Sequence, residues 1–242
     1  MAPEHTPSGF IDVHAHIAPT SFLKEVQKSG KSFSVDVEET EAGHALTFPF
    51  LPTLRAAGGS LSDTVARSEW MLEQGIGSQY MAAWLDIQGY TLAKDKEAEW
   101  VRLLNEHLSQ TAKDNGDAFR SIAAVPLRDG EQAARELEYA VKTLGMLGVM
   151  LPSDPADVDV ADPVLEPFWE VAEELDVPVM LHGASHSKWP QVGPSYLAFS
   201  MGRTLDTTIL AAKLIHSGLF DRHPELKILL CHGGGSLPYL IS

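Results

Sequence analysis

Val177-Pro178-Val179-Met180-Leu181-His182 is a short apolar run that stops at a histidine, and Ile228-Leu229-Leu230-Cys231-His232 repeats the design near the end of the chain. Runs of this length, bounded by turn residues, read as buried strands. Working outward, Phe10-Ile11-Asp12-Val13, Ser78–Leu85, Phe119–Val125 and Val149-Met150-Leu151 read as further strands, with Val177–Leu181 the fifth and Lys227–Cys231 the sixth. Helical patterns fall between them. One lies around Ser21–Lys28, and Ser62–Gln74 is closed by Gly75. Asp95–Asp114 sets Trp100, Leu103, Leu104 and Leu108 on one face, and the next helix buries Leu137, Ala140, Val141 and Leu144 before Gly145. Asp162-Pro163, an N-cap followed by proline at the first helical position, opens a helix carrying Leu165, Phe168, Trp169 and Ala172. Leu205–Leu219 is helical, and another helix begins after Gly235.

Strands alternating with helices predict βα units and a parallel sheet. No Gly-rich dinucleotide fingerprint is present, so an α/β fold of the (β/α)8 TIM-barrel type is favoured over a doubly wound sheet. Only about six βα units are present. The expectation is therefore one incomplete barrel domain over residues 1–242, with a small insertion at about 31–60 that is hairpin-like from Lys31 to Pro52.

The chain has 242 residues, 44% hydrophobic and 21% charged, as in an ordinary soluble domain. A net charge of −15 argues against nucleic acid and anionic membrane surfaces as partners. A lone Cys231 excludes an intramolecular disulfide framework and fits a reducing cytoplasm. Met1–Gly9 carries no apolar segment, and no run reaches the length of a membrane span. A cytoplasmic location is expected.

Asp12-Val13-His14-Ala15-His16 follows the first strand. Residues two apart on extended backbone point the same way, so His14 and His16 can share one metal ion. Alone, such a pair is as often a solvated strand end. His182 and His232 change the balance, because the C-terminal ends of parallel barrel strands meet on one face. His186, in the loop leaving strand five, is placed to touch substrate. Trp84, Trp189 and Tyr196 near the presumed mouth suit a planar ligand, although aromatic residues at such places are as often packing. His5, His44, His107, His216 and His223 read as structural or solvated.

Phe220-Asp221-Arg222-His223-Pro224-Glu225-Leu226-Lys227, running into His232-Gly233-Gly234-Gly235, completes a pattern with the HxH and His182. It resembles the amidohydrolase-related (amidohydrolase 2) decarboxylases, nearest the aminocarboxymuconate-semialdehyde decarboxylase branch. The resemblance spans nearly the whole chain and is most specific from Gly202 to Leu240. It implies a divalent metal, usually zinc, on His14, His16 and His182; manganese, cobalt and iron also suit nitrogen ligands. It implies His232 as the acid/base, Arg55 gripping a substrate carboxylate, and a tendency to homodimerise. The implied activity is metal-dependent, non-oxidative decarboxylation of a small unsaturated or aromatic carboxylic acid. A hydrolase acting on a C–C, ester or lactone bond and a catalytically inactive barrel fragment are the alternatives.

One departure bears on all of this. The family's remaining ligand is an aspartate at the end of the eighth strand, and no acidic residue follows His232 here. A truncated barrel, or one needing a second chain over the gap, is expected. Asp206 is expected to cap its helix.

Overall fold

The computed structural model describes residues 9–153, 155, 158–183 and 196–241. They form two compact units: residues up to Ala124 with Lys142–Leu147, and Val125–Val141 with the residues from Gly148 onward.

The first unit runs β1 (Phe10–Ile17), α1 (Thr20–Ser29), β2 (Asp36–Thr40), β3 (Gly43–Thr47), α2 (Thr64–Glu73), β4 (Ile76–Ala83), α3 (Lys94–Asp114) and β5 (Phe119–Ile122). Its main sheet has the order β1-β4-β5, all parallel, while β2 and β3 pair as a separate antiparallel hairpin inside the expected insertion. The Asp63 carboxylate starts α2 by accepting the N–H groups of Val65 and Ala66, both at 3.0 Å. Gly75, at φ +70°, ends that turn, as expected of a residue beyond a helix C-terminus.

Trp100 of α3 is fully buried and organises this unit. The rings of Phe22, Phe33 and Phe48 meet it edge-on at 5.1, 5.3 and 5.3 Å, and its Nε1–H donates to the Ile87 carbonyl at 2.7 Å. The buried face of α3 differs from the expected one: Val101 and Asn105 are inside, and Leu103 is only half-buried. Asn105 belongs inside because its amide clips the backbone of Ala124, donating to the carbonyl at 2.9 Å and accepting the N–H at 3.0 Å.

β1 is longer than its apolar run suggests. Pairing with β4 continues through Ala15↔Met81, His16↔Ala82 and Ile17↔Ala83, after a register shift between Asp12 and Ala15. His14 and His16 therefore lie within the strand and not beyond it. Polar side chains hid a strand that its backbone bonds and the buried Ala15 and Ile17 maintain.

The second unit runs α4 (Gly130–Lys142, its last residue grouped with the first unit), β6 (Val149–Pro152), α5 (Glu166–Glu174), β7 (Val179–His182), α6 (Arg203–His216), α7 (Leu219–Arg222), β8 (Ile228–Leu230) and α8 (Leu237–Leu240). Its sheet has the order β6-β7-β8, again all parallel. Asp162 accepts the Val164 N–H at 2.8 Å, the cap its sequence predicts, and Leu165, Phe168, Trp169 and Ala172 are buried as expected. The segment leading into β8 is tied to α5. Arg222 makes two bonds to Glu166, at 2.7 and 3.0 Å, and His223 lies between Glu166 and Glu173 at 3.1 and 3.2 Å.

α6 begins at Arg203 after a π-helical turn, Ala198–Gly202, so Asp206 sits in the first turn and is not the cap. An acidic side chain there still complements the helix dipole. Among the described residues no helix is long and apolar enough to cross a membrane.

Candidate functional site

In the first unit the candidate residues line the C-terminal half of β1. Asp12 Oδ1 accepts the His14 N–H at 3.1 Å, and Asp12 Oδ2 accepts from Gln79 Nε2 of β4 at 2.8 Å. The Nε2 atoms of His14 and His16 are 3.2 Å apart, with the rings edge-on at 83°. Two nitrogens bound at roughly 2.0–2.1 Å to one tetrahedral zinc lie roughly 3.3–3.4 Å apart, so this pair fits a shared ion.

Asp12, His14, His16, Arg67, Trp70 and Gln79 line a cavity of ≈ 640 Å³. Burial lowers the Arg67 guanidinium's pKa, opposed by the nearby Asp12 charge, and Arg67 also donates to the Ser60 carbonyl. Among the described residues, the buried Gln79 Oε1 has no hydrogen-bond partner.

Arg55 is exposed, its guanidinium 4.7 Å from the centre of the Trp84 ring. Trp84 follows β4 directly, and its N–H donates to the Ile17 carbonyl at 2.8 Å, fixing both side chains at the sheet end where β1 finishes.

In the second unit, parallel strands bring two histidines together. His182 ends β7 and is fully buried; its Nδ1 donates to the Gly183 carbonyl at 2.6 Å. A carbonyl can only accept, so the proton is on Nδ1 and the lone pair on Nε2, the form a metal ligand requires. The Cys231 N–H donates to the Leu181 carbonyl at 3.1 Å, which sets His232 beside His182 with ring centroids 4.6 Å apart. Burial pushes the Cys231 thiol up to about 12, which rules it out as a nucleophile at neutral pH.

His232 adopts φ +54°, and Gly233, Gly234 and Gly235 also have positive φ. Gly235 has a further reason to be glycine. A Cβ there would lie 2.3 Å from the Thr204 carbonyl oxygen and 2.4 Å from Thr208 Oγ1. His232 Nδ1 lies 3.1 Å from Thr207 Oγ1.

His5, His186 and Trp189 lie outside the described residues, and Tyr196 is exposed. Of the histidines read as structural, His44 and His223 are buried and His107 contacts Ser21 Oγ at 2.9 Å. Sequence reasoning missed Arg67, Gln79 and Thr207. The adjacent Thr207-Thr208 in a helix, where β-branched residues are poor formers, was the available signal.

The amidohydrolase family model matches residues 11–240. A 2-amino-3-carboxymuconate-6-semialdehyde decarboxylase of Dictyostelium discoideum is 26% identical over 236 residues, covering 96% of this chain and 64% of its own length. A gamma-resorcylate decarboxylase of a Polaromonas species is 38% identical over 153 residues, covering 58% of this chain and 46% of its own length. The chain thus spans less than two thirds of either curated relative. The solved dihydroxybenzoic acid decarboxylase of Polaromonas, with bound manganese and 2-nitroresorcinol, superposes with a TM-score of 0.72 at 27% identity, covering 96% of this chain and 68% of that one. The fold is accordingly a (β/α)8 TIM barrel of the metal-dependent hydrolase type, represented here by two three-stranded parallel sheets, β1-β4-β5 and β6-β7-β8. The chain belongs to the amidohydrolase family.

Proposed function

We propose that this chain carries the metal-binding and proton-transfer residues of a non-oxidative decarboxylase, a lyase acting on an unsaturated or aromatic carboxylic acid. The observation that carries the reading is two close histidine pairs, His14 with His16 in the C-terminal half of β1 and His182 with His232 at the ends of β7 and β8. The decarboxylase names of the relatives support the reaction class.

His14, His16 and His182 would hold the ion, zinc or another divalent transition metal such as manganese. Bound there, the ion supplies Lewis acidity, polarising a substrate oxygen. Arg55 binds a substrate carboxylate through its guanidinium fork, and His186 contacts the substrate. His232 delivers a proton to the ring or alkene carbon that bears the carboxylate. The bond from that carbon to the carboxylate then breaks, its electrons return to the carbon framework, and carbon dioxide leaves. A reducing cytoplasm suits the single buried thiol, and homodimerisation, implied by the family resemblance, would appear as twice 26.3 kDa in light scattering.

The test combines elemental analysis with carbon dioxide release from a panel of dihydroxybenzoates. The unaltered chain is expected to retain close to one equivalent of metal and to release carbon dioxide. His14→Ala should lose most of the metal, and His232→Ala should lose turnover while keeping it. A metal-free chain after purification in zinc, or hydrolysis of an ester or lactone without carbon dioxide release, would overturn the reading.

A further inference from the structure

His232 can move a proton only if its reacting nitrogen carries the right occupant, and the helix behind it bears on that choice. Thr207 of α6 is fully buried, and its Oγ1 makes two contacts: the Arg203 carbonyl at 2.9 Å and His232 Nδ1 at 3.1 Å. A hydroxyl carries one proton. Donated to the carbonyl, which can only accept, that proton leaves Thr207 facing His232 as an acceptor, so Nδ1 must supply the N–H.

The neighbouring residue repeats this arrangement without ambiguity. Thr208 Oγ1 donates to the Thr204 carbonyl at 2.7 Å and accepts the Ser236 backbone N–H at 2.7 Å. A backbone N–H can only donate, so Thr208 acts as acceptor toward the same loop while back-bonded one turn up the helix. Thr207 and Thr208 thus grip the two ends of His232–Ser236, and the missing Cβ of Gly235 lets the loop lie against α6.

We infer that Thr207 is a positioning residue that holds His232 as the Nδ1–H tautomer and so presents the Nε2 lone pair for proton transfer. The role in turnover rests on the decarboxylase reading above; the tautomer assignment does not. An imidazole hydrogen-bonded through Nδ1–H keeps its orientation and tautomer through each proton exchange, as second partners of catalytic histidines do in general. Thr208 fixes the loop's far end and leaves the tautomer alone.

The test uses long-range proton–nitrogen spectra of histidine-labelled protein, at a pH well above the ordinary imidazole pKa, with His232→Ala identifying the resonance. Wild-type His232 should show a protonated Nδ1 and a bare Nε2. Thr207→Val, which keeps the shape and removes the hydroxyl, should move it toward the Nε2–H form that a free imidazole favours. Thr207→Ser should restore the wild-type pattern, and Thr208→Val should retain it. In turnover, Thr207→Val should lower kcat at least about tenfold with KM little changed, and Thr207→Ser should recover it.

An unchanged tautomer in Thr207→Val overturns the assignment whatever the activity. Equal effects of Thr207→Val and Thr208→Val also overturn it, because the cause would then be a loosened loop. Full turnover by His232→Ala would sink the decarboxylase reading instead, and the spectra would still decide the role of Thr207.

Discussion

Cys231 separates the end of β8 from His232, and its surroundings settle its chemistry. Burial raises its thiol to about 12, so at pH 7 only about one molecule in a hundred thousand carries the thiolate that reacts. Native protein should therefore leave an aromatic disulfide reagent unreacted over hours at pH 7, with one thiol released on adding denaturant. A native reaction complete within minutes would contradict the burial. Glu166 offers a second test at this scale. Its pKa is lowered from 4.5, first by the hydrogen bond from Arg222 and also by the one from His223. On acidification the unfolded chain takes up this proton first. The stabilisation is thus fully present above about pH 4.5 and fades as pH falls through the lower folded value. Glu166→Gln should cost about 1–2 kcal/mol at pH 7, a modest figure because the group is partly solvated, and should flatten the acid limb of stability against pH. Urea midpoints at several pH values, compared between the two proteins, measure both effects; parallel acid limbs would refute the assignment.

Among the elements, α3 shows what the sequence conveys and what it withholds. Its bounds and the burial of Trp100, Leu104 and Leu108 follow from helical spacing. Trp100→Ala should cost about 3–5 kcal/mol, because it empties a site bounded by α1 and the aromatic residues flanking the β2–β3 hairpin. Trp100→Phe should recover part of that loss; equal urea midpoints for both variants would show that bulk at this site is irrelevant. Spacing could not foresee Asn105 as a core residue, since its place depends on the Ala124 backbone meeting it. The same limit recurs elsewhere. All six barrel strands are legible as apolar runs, yet the run stops short of the end of β1 because two positions in its C-terminal half are histidines. His14, His16, His182 and His232 were legible because strand ends are visible in sequence. The pairing of Gln79 with Asp12 and the bond from Thr207 to His232 were not, because each joins residues that only the tertiary fold brings together.

For the molecule as a whole, charge and uncovered apolar surface work against each other. Among the described residues β1 pairs only with β4, so it is the edge of its sheet, and it leaves Phe10 81%, Ile11 58% and Val13 39% exposed. An open backbone edge carrying apolar side chains is a template for pairing with another copy. At pH 7 the net charge of −15 opposes such encounters, but the sequence pI is ≈ 5.0 and the repulsion vanishes there. Light scattering should therefore be low at pH 7 and rise steeply as pH approaches 5. Added salt at pH 7 should raise it partway, by screening the repulsion without removing it. Ile11→Lys places a charge on the edge itself and should suppress the rise more than a lysine on the exposed face of α3, such as Glu106→Lys, although Glu106→Lys removes more net negative charge. If Glu106→Lys suppressed association as well as Ile11→Lys, or if scattering were as high at pH 7 as at pH 5, the β1 edge would not be the seat of self-association.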